Sequence, residues 1–313
     1  MNKIDMRDAF FEKLVEAART DERIIVLSAD HGAFALKKFE EEMPSRYINM
    51  GIAEQNMVGV AAGLAASGKI VFIYGITPFV SLRVLEQLTI DVAAMQLPVN
   101  VISVGAGFTY STDGPTHQGL QDVAAIATIP GMTILNSSDP ENTKAFVTLA
   151  IDNKKPHYIR IEKEKLSTMP RELSISEVIS LGYSTIFRKN SKLLILTTGV
   201  WTQNLIQILS EMDSELVKSV DLIDVHQLKP LGKLSQQFAG FKNILVVEDA
   251  YNSYLSSEVA KIIATEDLRI KLSIITVGEN FYFAGNDRAP MESLAGLSKS
   301  NIDSKIKQIL TTN

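Results

Sequence analysis

The chain has 313 residues, 46% hydrophobic and 21% charged, with a formal net charge of −5 at pH 7. At roughly 100–200 residues per domain, this length predicts two globular domains. The composition excludes global disorder, and the mild acidity leaves no basic footprint for nucleic acid. Having no cysteine excludes disulfides, thiolate metal sites and thiol nucleophiles, and fits a reducing cytoplasm. Residues 1–8 hold no apolar signal-peptide core. The most apolar stretch, 57–76, is interrupted by Ser67-Gly68-Lys69 and reads as a buried helix followed by a strand, not a membrane span.

In chain order, an amphipathic pattern over 6–19 predicts a helix, with Ala9, Phe10, Leu14 and Ala17 on one stripe and Lys13 as its exception. Short runs at 24–29, 70–74, 99–104, 132–135 and 158–161 are rich in β-branched and aromatic residues and mostly apolar throughout, as in parallel strands covered on both faces. Between them, 53–66 reads as a small-residue helix and 79–95 as a longer one. Asp139 and Pro140 take the N-cap and first position of another. Residues 162–173 are charged and carry Pro170, which predicts an inter-domain connection. Strands follow at 193–197, 220–225, 244–248 and 272–277, and helices at 201–212, 231–238, 253–264 and 302–310. The predicted class is α/β, two open, mostly parallel sheet domains with helices on both faces, at 1–170 and 191–313 with a linker at 171–190.

Two clusters carry chemistry. In Asn49-Met50-Gly51-Ile52-Ala53-Glu54-Gln55-Asn56, a glycine turn leads into a helix whose first turn holds Glu54. By itself, a glutamate there stabilises the helix dipole. Gly59 and Gly63, one turn apart, leave that helix open to close backbone approach. In Tyr110-Ser111-Thr112-Asp113-Gly114-Pro115-Thr116-His117-Gln118, Gly and Pro build a rigid turn after a strand, where open α/β sheets bind ligands. Taken alone, His117 reads equally as a cap of the next helix.

In this order the two clusters resemble the pyrimidine-binding domain of transketolase and of deoxyxylulose-phosphate synthase. The resemblance runs on through Ile129-Pro130-Gly131-Met132, Ser138-Asp139 and Leu228-Lys229-Pro230-Leu231, covering nearly the whole chain. It implies thiamine diphosphate as cofactor. It gives Glu54 the role of hydrogen-bonding a ring nitrogen of the aminopyrimidine, favouring the imino tautomer that activates the thiazolium carbon. It places Phe79 against the pyrimidine by stacking, with Leu82 beside it. Asp113 would contact a substrate hydroxyl, and His117 the oxygen of the reacting carbon as a proton carrier. His31, at a strand's carboxyl end, would reach substrate, and Arg7 and Lys163 match positions near a sugar phosphate. The plain alternatives are a core residue for Phe79, a polar loop residue for His31 and ion-paired surface charges for Arg7 and Lys163. His157 and His226 read as structural.

Two departures qualify the resemblance. Residues 104–109, where the family places a cation that contacts substrate phosphate, hold none. The chain has no Gly-Asp-Gly metal and diphosphate motif. It is therefore expected to be the beta-like C-terminal subunit of a two-chain transketolase. Its N-terminal partner would hold the diphosphate with Mg2+ or Ca2+, the two chains would assemble as two copies of each, and this chain would hold no metal. The expected reaction moves a two-carbon ketol unit from a ketose to an aldehyde. The rivals are the beta subunit of a 2-oxo-acid dehydrogenase, which the Asp113–His117 run disfavours, a deoxyxylulose-phosphate-synthase-like ligase, and a structural pseudo-subunit. No nucleic acid and no membrane partner is expected.

Overall fold

A computed structural model describes residues 3–30, 32, 34–188, 191–251, 253–283 and 287–311. The first half runs β1 (Lys3–Asp5), α1 (Met6–Ala18), β2 (Ile24–Ser28), α2 (Phe34–Glu42), β3 (Tyr47–Asn49), α3 (Glu54–Ala66), β4 (Ile70–Ile76), α4 (Leu85–Gln87), β5 (Val99–Val104), α5 (Asp122–Ala127), β6 (Thr133–Asn136), α6 (Pro140–Asn153), β7 (His157–Ile161) and β8 (Lys165–Ser167). The second half runs α7 (Ile175–Leu181), β9 (Ser184–Phe187), β10 (Leu193–Thr197), α8 (Val200–Ser210), α9 (Ser214–Val217), β11 (Val220–Asp224), β12 (Gln227–Lys229), β13 (Asn243–Val247), α10 (Tyr254–Thr265), β14 (Lys271–Ile275), α11 (Arg288–Leu294) and α12 (Lys299–Thr311).

Among the described residues the large sheet has the order β12-β6-β7-β5-β4-β2-β3, parallel except for β12, and the second sheet the order β14-β13-β10-β11-β9, parallel except for β9. β2, β5 and β10 are buried at every position. Their mostly apolar runs, with Ser28, Asn100, Ser103 and Thr197 as buried polar exceptions, are therefore covered on both faces, as parallel strands require. Asp139 caps α6 as expected: it accepts from Asn142 N at 2.9 Å, and Asn142 Oδ1 accepts from Asp139 N at 3.2 Å, a reciprocal capping box. Among the described residues no helix is long and apolar enough to cross a membrane.

Four expectations are corrected. Within the linker expected at 171–190, residues 174–187 are structured. Ser174 and Glu177 form a capping box that starts α7, Gly182 ends it with φ +82°, and β9 joins the second sheet. Charge and Pro170 masked this short element. The helix expected over 79–95 begins only at Leu82 and is a 3-10 turn, one α turn and a π-helix over Leu88–Ala93. The helix expected over 231–238 shrinks to a 3-10 turn at Leu234–Gln237, because Pro230 and Gly232 at φ +58° hold the chain before it out of helical geometry. Finally, β12 of the second half pairs with β6, so the large sheet draws on both sides of the expected boundary.

Glu248 follows β13 with its carboxyl buried, accepting from Ser256 N at 3.3 Å. Burial pushes it up from an ordinary 4.5 to about 8. The folded state thus keeps a proton that the unfolded chain releases. The resulting stability is complete below the unfolded pKa and is lost as pH rises through the folded one. Denaturant unfolding should show Glu248 costing up to about 1.4 kcal/mol per pH unit from about pH 5 to 8, then levelling off. Glu248→Gln, which keeps the acceptor oxygen, should flatten that slope. An unchanged slope in the variant would refute a proton held at this carboxyl.

Candidate active site

The chain runs from β2 outward to β3, then crosses back to β4 on the other side of β2. That reversal leaves a crevice beyond the carboxyl ends of β2 and β4, where open α/β sheets bind ligands. Glu54 enters it after β3, Phe79 after β4, the 105–119 loop after β5 and Lys163 after β7. Positions far apart in sequence meet because each follows the carboxyl end of a strand in one sheet.

Gly51, at φ +65°, turns the chain into α3, and its N–H donates to Asn49 Oδ1 at 2.9 Å. Glu54 opens the helix with only 4% of its surface exposed. Its Oε2 accepts from Arg83 Nη1 at 2.8 Å. The Arg83 guanidinium also lies 4.2 Å from the Phe79 ring centroid. Phe79 meets the His117 imidazole edge-on at 5.2 Å, and His117 lies 6.2 Å from the Tyr110 ring. The Lys163 ammonium stands 5.0 Å over Tyr110. One continuous run of contacts therefore joins Glu54, Arg83, Phe79, His117, Tyr110 and Lys163.

The 105–119 loop is set by close approaches. Gly107 and Gly119 exchange backbone hydrogen bonds at 2.9 Å in both directions. A Cβ on Gly119 would lie 2.4 Å from Gly105 O, and one on Gly105, at φ +105°, 2.5 Å from the Tyr110 ring. His117 is held by its N–H to Gly114 O at 3.0 Å and by its Nδ1 against Thr116 Oγ1 at 2.9 Å. Asp113 ends a 3-10 turn with its carboxylate exposed. Burial raises the Tyr110 phenol pKa, with Arg7 opposing and Asp113 and Asp5 adding to the shift. Its buried hydroxyl has no hydrogen-bond partner among the described residues.

Arg7 is engaged by Asp5, the N-cap of α1, through Nε at 3.1 Å and Nη2 at 2.8 Å, and lies close to Tyr74 and Tyr110. The hydrogen bond to Asp5 raises its pKa further. Lys163 is exposed and forms no ion pair among the described residues. Leu82 is 41% exposed in a surface recess of about 540 Å³ shared with Gln55 and Arg83. His31 lies outside the described residues. His157 is buried against Asn100 Oδ1 at 2.9 Å, and burial lowers it to about 4, so it is neutral at pH 7. His226 is buried beside Asp224 at 3.7 Å. Among the described residues no cluster of three or more His, Cys, Asp or Glu side chains is arranged to hold a metal ion.

Sequence reasoning assigned no role to Arg83 or Tyr110. Arg83 lies one helical turn beyond Phe79, in a segment read as helix, and that spacing was the available signal for their contact.

The chain matches the family model described as transketolase, pyrimidine binding domain, over residues 2–168. It is 34% identical over 226 residues to the 6-deoxy-6-sulfo-D-fructose transketolase subunit SqwH of Clostridium sp. (strain MSTE9), covering 72% of this chain and 69% of that one. It is 28% identical over 308 residues to 1-deoxy-D-xylulose-5-phosphate synthase of Nitrosomonas eutropha, covering 96% of this chain but 48% of that enzyme. A solved structure described as a split gene transketolase, inactive beta4 tetramer, superposes with a TM-score of 0.83 at 26% identity, covering 99% of both chains.

Gly105→Ala should displace the Tyr110 ring and with it the support of His117. Overpacking of this kind costs about 1–3 kcal/mol. Denaturant unfolding measures the loss, and the His117 imidazole NMR resonances should shift with the ring. Native stability together with unmoved His117 signals would show that the loop does not depend on this contact.

Proposed function

The chain belongs to the transketolase family, as the C-terminal subunit of a split enzyme, and from that premise we propose that it supplies the pyrimidine side and the substrate side of a site for two-carbon ketol transfer from a ketose to an aldehyde. The observation that carries this reading is the contact run from Glu54 through Arg83 and Phe79 to His117. It sets a buried carboxylate and an aromatic face around one planar group, the guanidinium. A planar, protonatable heterocycle needs the same two contacts, so these residues fit the aminopyrimidine of thiamine diphosphate.

When bound, thiamine diphosphate supplies the carbon nucleophile that cleaves the ketose. Glu54 holds or shares the proton at the pyrimidine ring nitrogen, and its burial in the first turn of α3 fixes that position. Phe79 offers a stacking face. His117, positioned by Thr116 and the edges of Phe79 and Tyr110, holds or moves a proton at the oxygen of the reacting carbon. Asp113 accepts from a neighbouring substrate hydroxyl, and His31 is a further candidate contact. Leu82 lines the rim beside Arg83. Residues 1–170 act as the pyrimidine-binding domain and 191–313 as the C-terminal domain, in a reducing compartment that suits a cysteine-free chain.

The partner reading is supported by relatives that are themselves described as a transketolase subunit and as a split gene transketolase; the chain spans about half the length of its single-chain synthase relative. An N-terminal subunit would hold the diphosphate and its metal ion, in an assembly with two copies of each chain. Gly59 and Gly63 on α3 are exposed, with nothing within 4 Å of where a Cβ would stand, which leaves room for a partner's backbone. Alone, the chain should show no turnover and no tight, metal-dependent binding of thiamine diphosphate by calorimetry. With the partner both should appear. In that complex Glu54→Ala should slow proton–deuterium exchange at the cofactor's reactive carbon by about 10²–10⁴-fold with the fold intact. Full activity of the chain alone, or normal exchange in the variant, would refute the reading.

A relative is named for a sulfonated ketose, and Lys163 supports an anionic sugar tail here. It is exposed and outside any ion pair among the described residues, whereas Arg7 is already neutralised by Asp5. A charge-assisted hydrogen bond contributes about 1.5–3 kcal/mol. Lys163→Met should therefore raise KM for ketoses with a phosphate or sulfonate terminus by roughly tenfold or more and leave neutral ketoses unaffected. Equal effects on both would remove Lys163 from tail recognition.

A further inference from the structure

The loop that carries Tyr110, Asp113 and His117 belongs to the first half of the chain, yet its stem is gripped by the second. Arg288, the first residue of α11, donates from Nη1 to Glu162 Oε2 at 2.9 Å and to Thr109 Oγ1 at 3.4 Å, and from Nη2 to Asp249 Oδ2 at 3.2 Å. Thr109 Oγ1 also donates to Glu162 Oε2. Asp249 fills the space where Gly107 lacks a side chain: a Cβ there would stand 1.8 Å from Asp249 Oδ2. At the other stem, Gln118 is buried and its Nε2 donates to Tyr282 O at 2.7 Å, while Tyr251 N donates to Leu120 O at 2.7 Å. Phe108 packs edge-on against Tyr282 at 5.4 Å.

We infer that the second half of the chain acts as a clamp that sets the substrate loop, with Arg288 as its positioning residue. The guanidinium fork alone reaches Thr109, Glu162 and Asp249 together, so it fixes where the loop leaves β5 relative to β7 and β13. The Glu162 and Asp249 side chains are each 2% exposed, so neither can turn to water instead; Asp249 shares its charge between Arg288 and Arg160, and Glu162 has Arg288 as its ion-pair partner among the described residues. Glu54 opens α3 and Phe79 follows β4, and neither touches Arg288 among the described residues. The clamp therefore bears on substrate engagement and leaves the cofactor side alone. The inference rests on the transketolase reading for its kinetic consequence, but its structural consequence is independent of that reading.

Hydrogen exchange on the full chain tests the structural part. In Arg288→Met the amides of Gly107, Thr109, His117 and Gly119 should lose protection at least tenfold, while those of β4 and α3 keep theirs. Arg288→Lys preserves the charge facing the buried carboxylates but cannot span all three partners. It should fold even if the Met variant does not, and should lose part of the loop protection. In the reconstituted complex, Arg288→Lys should raise donor KM several-fold, with proton exchange at the cofactor carbon unchanged. Native loop protection in Arg288→Lys would overturn the clamp, as would an equal loss across β4, α3 and the loop. Loop loosening in a complex that transfers no ketol unit with either chain version would uphold the clamp and count against the transketolase reading alone.

Discussion

Arg160 is among the largest fully buried side chains of the molecule, and the two halves are organised around satisfying it. It leaves β7 and donates from Nε to Asp122 Oδ2 at 3.0 Å, from Nη2 to Gly119 O at 2.6 Å and from Nη1 to Asp249 Oδ1 at 3.4 Å. Asp122 opens α5, Gly119 ends the 105–119 loop and Asp249 follows β13 of the second sheet. A guanidinium at this depth persists only if every face finds an acceptor, and breaking such a buried pair costs about 3–5 kcal/mol. No single domain supplies all three acceptors. The second half is therefore part of the first half's interior chemistry, as the insertion of β12 into the large sheet also shows.

The network continues beneath the crevice. Tyr158 donates to the same Asp122 oxygen at 2.8 Å and pairs with Ser103 Oγ at 2.7 Å, which reaches Thr77 Oγ1 at 2.8 Å, and Thr77 closes on Val104 O at 2.9 Å. Thr77 precedes Phe79, and Val104 precedes the 105–119 loop. The floor under both is thus polar and buried, and each of these side chains makes at least one hydrogen bond in it, although Asp122 Oδ1 finds no partner among the described residues. Such a network adds little net stability over an apolar core, but it permits few alternative packings. Rigid placement of the loops above it is its physical consequence.

How much of this the sequence revealed follows from the range of each interaction. Apolar runs marked the inner strands because burial on both faces leaves a local signature. The cap at Asp139 was legible because its partner lies three residues away. Glu54 and His117 stood out through their turn chemistry and resemblance. The rest is non-local. Arg288 finds Glu162 across 126 positions and Arg160 finds Asp249 across 89, and no periodicity encodes such pairings. Short antiparallel edges such as β9 and β12 carry too few residues to show alternation. Arg83 fell between these cases: its spacing from Phe79 was local, but its bond to Glu54 required the sheet.

The Glu54–Arg83 pair is asymmetric, and the asymmetry bears on the proposal that Glu54 takes a heterocycle as partner. The glutamate side chain is 5% exposed and the arginine 41%. A carboxylate at that depth cannot exchange its partner for bulk water without a large desolvation penalty. A half-exposed guanidinium can, because water already reaches it and can take over its hydrogen bonds when it leaves. The fixed member is therefore the acid on the helix, and the exchangeable member is the cation. A planar, hydrogen-bonding ring that takes the place of Arg83 against both Glu54 and Phe79 would restore the buried carboxylate's partner and the stacking contact in one step. The residue that satisfies the free subunit is thus the one that can leave at least cost.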